Sequence, residues 1–186
     1  MLLLVLLAGG GLSGQESPVP LDLQYSLILK VLSFDRNFKG RVGSEIVIGI
    51  AYQRSFRTSL NIKDELLRAA QQVRDEDTEG ASVRLVPIDV AAEGDLAAIL
   101  AKENVKFLYI TPLRAFDVRK LASVCREKRI LSLTGVPDYT ELGISVGFGV
   151  KGERPEIIIN LLGAQAEGAD FSSRLLSLAR VIEKQD

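Results

Sequence analysis

The feature that most constrains the fold is a repeated unit, in which an apolar run of strand length is followed by an amphipathic helical segment. "EIVIGIAY" (45–52), "SVRLVPID" (82–89) and "VKFLYIT" (105–111) each begin such a unit. Two consecutive parallel strands need a crossover connection, and a helix supplies it. The repeat therefore predicts a mostly parallel sheet with helices on both faces.

The pattern changes after a fourth apolar run, "ILSLTG" (130–135). "GISVGFGV" (143–150) and "PEIIINL" (155–161) are joined by "KGER" alone, a connection that allows a hairpin but no helical crossover. With 186 residues, 47% of them hydrophobic, the chain suits one core. We therefore expect a single α/β domain with a mixed, mostly parallel sheet of about six strands, ending in an antiparallel hairpin plus helix.

The C-terminal segment carries a detailed helix pattern. A short helix over about 162–167 is expected to end at Gly168, since glycine suits the left-handed turn after a helix. Ser172 is expected to cap the next helix, with Phe171 packing on Leu176 as a hydrophobic staple. That helix is predicted to run to Ile182 and to dock on the sheet through one broad apolar side.

Composition excludes several functional classes. The chain has no histidine, which removes serine-histidine triads and histidine-bearing zinc sites. The 23 basic and 24 acidic residues nearly cancel, and the densest basic run (126–129) suits a solvated helix end, so no nucleic-acid partner is predicted. The single cysteine, Cys125, cannot form an intrachain disulfide and is interpreted as a small apolar residue on a helix face. No metal, cofactor or catalytic residue is predicted.

The N-terminus predicts export. The apolar "MLLLVLLA" gives way to small residues and then to a polar, proline-containing stretch, which is typical of a secretory signal. We assign residues 1–14 to this signal, 15–20 to a linker and 21–186 to the domain. The apolar run is too short to span a bilayer, so the protein itself is not expected to be membrane-spanning.

A dinucleotide-binding motif is spelled by Gly147, Gly149 and Gly152, but its context is wrong. The motif works between a strand and the helix N-terminus that holds the pyrophosphate, whereas here another strand follows. The glycines are better explained by a bulge or by close approach of another backbone segment.

The C-terminal segment resembles the YfiR/HmsC-like periplasmic proteins. Their pattern is an apolar strand ending in Ile-Asn, two small residues, a glycine, a hydrophobic residue, Ser-Ser and a Leu-Leu-x-Leu-Ala helix. This sequence matches it without a gap at Ile159-Asn160, Gly163-Ala164, Gly168, Phe171, Ser172-Ser173 and Leu175-Leu176-x-Leu178-Ala179. Upstream, the helix 25–34, "ILSLTG", Tyr139 and Gly143 follow the family order more loosely.

The resemblance implies a periplasmic, non-enzymatic regulator of mixed α/β fold. Its partner would be the periplasmic sensor domain of a membrane diguanylate cyclase, whose restraint lowers cyclic di-GMP and biofilm output. Some members carry paired cysteines, which Cys125 alone cannot reproduce. Ile158, Gly135 and Ala169 also depart from the commoner family residues.

The roles of the signature residues stay open at this point. Asn160 serves either as a cap or local turn or as a binding group, and Ser172 and Ser173 suit capping. Leucine-rich helices at both ends would either close one core or seal a homodimer.

Two other functions compete with the regulatory one. A small-ligand binding module would use the carboxyl ends of the parallel strands. An enzyme would rely on Asp89, although a strand-end aspartate more often caps the following turn. The candidates for a ligand or partner surface are Tyr52, Asp89, Thr111 and Thr134, at or near these ends, together with Tyr139.

Overall fold

A computed structural model describes residues 17–72, 80–92 and 94–183 of the chain. The proposed signal peptide and most of the acidic stretch after the second predicted helix lie outside these residues. The helices are α1 (Leu21–Ser33), α2 (Phe38–Arg41), α3 (Arg57–Gln72), α4 (Leu96–Lys102), α5 (Val118–Lys128), a 3₁₀ helix (Pro137–Leu142), α6 (Leu161–Ala166) and α7 (Ser173–Leu178). The strands are β1 (Glu45–Tyr52), β2 (Ser82–Asp89), β3 (Phe107–Ile110), β4 (Leu131–Thr134), β5 (Val146–Lys151), β6 (Arg154–Asn160) and β7 (Arg180–Ile182).

The strands form one sheet in the order β2-β1-β3-β4-β5-β6-β7. All neighbouring strands are parallel except β5 and β6, which form the expected antiparallel hairpin. The single α/β domain with a mostly parallel sheet is therefore confirmed. The strand count exceeds the expected six because the chain adds β7 after α7.

Alternate strand residues point to opposite faces, so the sheet divides the core into two apolar clusters. On one face, Ile48, Phe107 and Leu133 pack with α1, α3 and Phe38 of α2. On the other, Val47, Leu108 and Ile110 pack with α4 and α5. Both faces of the sheet are covered, as parallel strands require.

The C-terminal helix is the main correction to the sequence analysis. It was expected to reach Ile182, but α7 ends at Leu178, and Ala179 already has extended backbone angles. Arg180–Ile182 instead pair in parallel with Ile158–Asn160 of β6. Leu175 is buried, whereas Leu178 is 70% exposed, so the apolar positions do not form one docked helical side.

Gly147 and Gly149 of the hairpin allow close approach, although the approaching atoms belong to side chains and not to another backbone segment. A Cβ atom on Gly147 would lie 2.6 Å from Cγ2 of Thr140, and one on Gly149 would lie 3.2 Å from Cγ of Pro137. The 3₁₀ helix therefore packs directly on the backbone of β5. Gly152, at the hairpin turn, has a φ of +63°.

Candidate functional site

Asn160 is the last residue of β6, and its side chain connects that strand to α6. Its Oδ1 accepts a hydrogen bond from the backbone N–H of Gly163 at 3.3 Å, which caps the helix. Its Nδ2 donates to the carbonyl oxygen of Thr140 in the 3₁₀ helix at 3.2 Å. The side chain is fully buried, so the amide holds two elements together from inside the protein.

Glu167, directly after α6, is a buried carboxyl group that the sequence analysis did not single out. Oε2 accepts from the backbone N–H of Ser132 at 2.8 Å and from Oγ of Ser145 at 2.5 Å, and Oε1 accepts from Oγ of Ser132 at 2.7 Å. Complete burial raises the pKa of Glu167 to about 7, against the lowering effect of the serine hydrogen bonds. The available signal in the sequence was an acidic residue among mostly small, uncharged ones, in "GAQAEGA".

A second buried carboxyl group, Asp35, bonds to the loop between α6 and α7 from the other side. Its Oδ1 accepts from the backbone N–H groups of Asn37 at 3.0 Å and Asp170 at 2.8 Å. Its Oδ2 lies 3.1 Å from Nε of Arg41. The two side chains are 0% and 10% exposed, so burial lowers the pKa of Arg41, while the charge of Asp35 opposes that effect.

Arg41 also connects the loop between α6 and α7 to the amino end of the sheet. Its guanidinium donates to the carbonyl oxygens of Glu167 at 2.8 Å and Arg129 at 3.0 Å. Asp35, Arg41 and Glu167 therefore form a buried polar anchor for the segment between α6 and α7. We call these three residues the anchor.

The remaining signature residues shape the same segment. Gly168 has a φ of +85°, and a Cβ atom there would lie 2.9 Å from the guanidinium of Arg129. Ser172 caps α7 by accepting from the N–H of Leu175 at 3.4 Å. Phe171 and Leu175 are buried, Leu176 is partly buried against the same core, and Ser173 is exposed. Gly168 thus lies in a left-handed turn, Ser172 caps a helix, and Phe171 and Leu175 lie in the core.

The five candidates for a ligand or partner surface are engaged with the chain itself. Oγ1 of Thr111 donates to the carbonyl of Ala51 at 2.9 Å and lies 2.6 Å from Oγ of Ser59. Oγ1 of Thr134 donates to the carbonyl of Ile110 at 2.9 Å. Tyr52 is buried, with Nζ of Lys63 lying 5.2 Å from its ring centre.

Tyr139 and Asp89 have similar local roles. The hydroxyl of Tyr139 accepts from the N–H of Leu113 at 2.9 Å, and burial raises the pKa of this tyrosine. Oδ1 of Asp89 accepts from the N–H of Ala91 at 3.1 Å, which confirms the expected turn cap, and Oδ2 lies 3.6 Å from Nε of Arg54. Tyr52 and Asp89 are register partners on β1 and β2, whereas Thr111, Thr134 and Tyr139 each bond to backbone groups of the chain.

The structure explains two positions at which this sequence departs from the commoner family pattern. Cys125 is fully buried, and burial raises the pKa of its thiol well above the ordinary value, so it has the expected character of a small core residue. A side chain on Gly135 would meet the polar atoms of Gln24, Ser17 and Tyr109 at 2.6 Å. A larger acidic residue therefore has no room at position 135.

An exposed apolar surface lies at the β7 edge of the sheet. Leu178 and Val181 are 70% and 38% exposed. Leu178 also lines a groove of about 430 Å³, bounded by the turn end of the hairpin and by the junction between α7 and β7. We call these two apolar residues and the groove the edge surface. The groove is lined by Lys151, Arg154, Pro155, Glu156, Ser177, Leu178, Ala179 and Arg180.

Within the described ranges, no three Cys, Asp or Glu side chains gather as ligands for a metal ion. The helices of those ranges include none that is long and apolar enough to cross a membrane. Buried polar groups such as the anchor hold the C-terminal segment in place, and Leu178 and Val181 are exposed at the β7 edge of the sheet.

Strand order and connections define a doubly wound α/β protein whose first five strands follow the flavodoxin-like order, extended by an antiparallel strand and a short parallel one. Residues 55–180 match the YfiR/HmsC-like family, and the chain belongs to that family. Its members are periplasmic regulators of diguanylate cyclases.

A crystal structure of a conserved domain protein from Vibrio cholerae O1 biovar El Tor str. N16961 has a similar fold. The TM-score is 0.62 at 13% sequence identity, and the match covers 87% of this chain and 60% of the Vibrio chain. This protein therefore spans less than two thirds of that chain, and the likeness concerns the fold alone. A comparison with curated proteins gives no match.

Proposed function

We propose that the protein is exported to the periplasm, where it binds and restrains the periplasmic sensor domain of a membrane diguanylate cyclase. The observation that carries the proposal is the edge surface, which exposes large apolar side chains in a chain of this regulatory family. Exposed apolar patches of this kind mark contacts with other proteins. Binding of the sensor domain there would bias the cyclase toward its inactive state and lower cyclic di-GMP.

The anchor supports the same function indirectly. It fixes the start of α7, so Leu178 and β7 keep a constant position relative to the hairpin. A preformed surface loses less conformational entropy on binding than a mobile one. The buried polar groups are then explained as the support of a docking surface.

Small-ligand binding at the carboxyl ends of the strands has weaker support. Thr111, Thr134 and Tyr139 are buried and bonded to the chain's own backbone, so a ligand would have to replace those hydrogen bonds.

The test is the cyclic di-GMP level of the host with this gene deleted and then restored. Deletion is expected to raise the level, and restoration with the wild-type gene to lower it again. Restoration with Leu178→Asp should fail, whereas Lys120→Glu, an exposed change on α5, should succeed. An unchanged level after deletion would contradict the proposal, and cell fractionation would show separately whether the protein reaches the periplasm.

A further inference from the structure

We propose that the edge surface binds an extended, acidic segment of the partner protein, which adds to the sheet as a further strand beside β7. This inference rests on the proposed function, because it names the part of the partner that is bound. It is drawn from the free edge, the exposed apolar residues and the charges of the described surface.

The free edge belongs to β7. This strand pairs with β6 over three residues, and its other side meets no strand within the described ranges. An unpaired edge offers backbone donors and acceptors to an incoming strand.

The opposite edge of the sheet is protected against such pairing. Strand β2 contains Pro87, which has no N–H to donate. Its Arg84 forms ion pairs with Glu45 at 3.1 Å and Glu103 at 3.3 Å, which places charge along that edge. The two edges therefore differ, and β7 is the one suited to pairing.

Apolar residues indicate what the added segment must carry. Val181 lies in β7, and Leu178 lines the groove at the start of that strand, and both are partly exposed. Alternate residues of a strand point to the same face. A partner segment with apolar side chains at every second position would cover these two residues.

The charges that line the groove indicate which polar side chains the added segment carries. Lys151, Arg154 and Arg180 line the groove, and the carboxylate among the lining residues, Glu156, lies 3.2 Å from Nε of Arg180. The groove therefore has an excess of positive charge and suits acidic side chains. A second copy of this chain, paired edge to edge, would place the same cations near one another.

The first experiment measures binding of the purified periplasmic domain of the host's membrane cyclase by calorimetry, with hydrogen exchange of the complex. We expect binding that weakens with added salt, and slower exchange at residues 180–182. Leu178→Asp and the double change Lys151→Glu with Arg154→Glu should each weaken binding about tenfold or more. These side chains are exposed, so the variants should fold, and Lys120→Glu is the matched control.

If the cyclase domain binds every variant equally and exchange at 180–182 is unchanged, the strand-addition inference is wrong while the proposed function stands. If the domain does not bind at all, a synthetic peptide of roughly ten residues with alternating valine and glutamate is the second probe. Peptide-induced NMR shifts of the β7 amides that Leu178→Asp abolishes would support the inference without the proposed function. Absent shifts would overturn both, and a dimer that Leu178→Asp dissociates would overturn the acidic partner in favour of a second copy.

Discussion

At residue 167 two opposing effects act on one carboxyl group. Burial disfavours its charged form, whereas the three donors from Ser132 and Ser145 favour that form. Because burial dominates, the pKa of Glu167 is raised from 4.5 to about 7. The folded protein therefore binds this proton more tightly than the unfolded chain does.

The sign of the pH dependence follows from that difference. The stabilising contribution of the Glu167 proton is fully present below pH 4.5 and is lost as the pH rises through about 7. From pH 5 to pH 8, wild type should lose about 2–3 kcal/mol of unfolding free energy relative to Glu167→Gln, which does not titrate. Urea unfolding at several pH values measures this difference.

The control for this titration is Glu65→Gln, since the Glu65 side chain is 52% exposed. Its unfolding free energy should follow the wild-type pH profile. Parallel profiles for wild type and Glu167→Gln would show that Glu167 has an ordinary pKa in the folded protein.

Gly168 provides a second test at a single residue. Gly168→Ala places a Cβ in a left-handed conformation and against Arg129, so it should lose about 1–2 kcal/mol of stability or more. Gly152→Ala has the same sign of φ but open space, and should lose about 1 kcal/mol. Gly40→Ala, in α2 with open space, should be neutral or slightly stabilising. Thermal unfolding ranks the three, and equal losses at 168 and 152 would show that Arg129 moves aside without cost.

At the scale of elements, α6 and α7 begin with caps of different kinds. Asn160 caps α6 and also bonds the 3₁₀ helix from a fully buried position, whereas Ser172 makes a local, partly buried cap. Asn160→Ala should therefore cost about 2–3 kcal/mol, since it leaves the buried carbonyl of Thr140 without this donor. Ser172→Ala should cost about 1 kcal/mol, and Ser172→Asp should retain the cap. Denaturant unfolding of the three variants measures these costs, and equal losses for the two alanine variants would contradict the bridging role of Asn160.

The same elements show what the sequence could and could not predict. Short-range signals were sufficient for the cap at Ser172 and for the turn at Gly168, because each depends on neighbouring residues. They left the role of Asn160 open between a cap or local turn and a binding group. "LLSLARVI" satisfies a helical spacing, but its last three residues also suit a strand. These three residues form a strand because they pair with Ile158–Asn160, and that contact joins residues distant in sequence.

The anchor was missed for a related reason. Asp35, Arg41 and Glu167 are ordinary surface residue types, and nothing near Asp35 in the sequence indicates that Asp170 will lie beside it. Their burial results from the packing of the C-terminal loop against α2 and the start of β4. Such sites depend on tertiary contacts between distant segments, so a motif search does not reveal them.

At the scale of the whole molecule, one sheet serves two apolar cores. Leu66 of α3 is fully buried on one face, and Leu121 of α5 is fully buried on the other. Strands β1, β2 and β3 link the two cores, since their alternate residues enter both. We therefore expect the protein to unfold in one cooperative transition, although each core is built from different helices.

Leu66→Ala and Leu121→Ala test this cooperativity. Each removes a fully buried side chain and should cost about 2–5 kcal/mol. Each should shift the same single transition, measured by far-UV circular dichroism and by tyrosine fluorescence, without changing its slope with denaturant. Because the two residues lie on opposite faces, the double variant should lose the sum of the single losses. The control is Leu178→Ala, at an exposed position, which should change stability by less than about 0.5 kcal/mol. Separate transitions for the two core variants would mean that each face of the sheet unfolds independently.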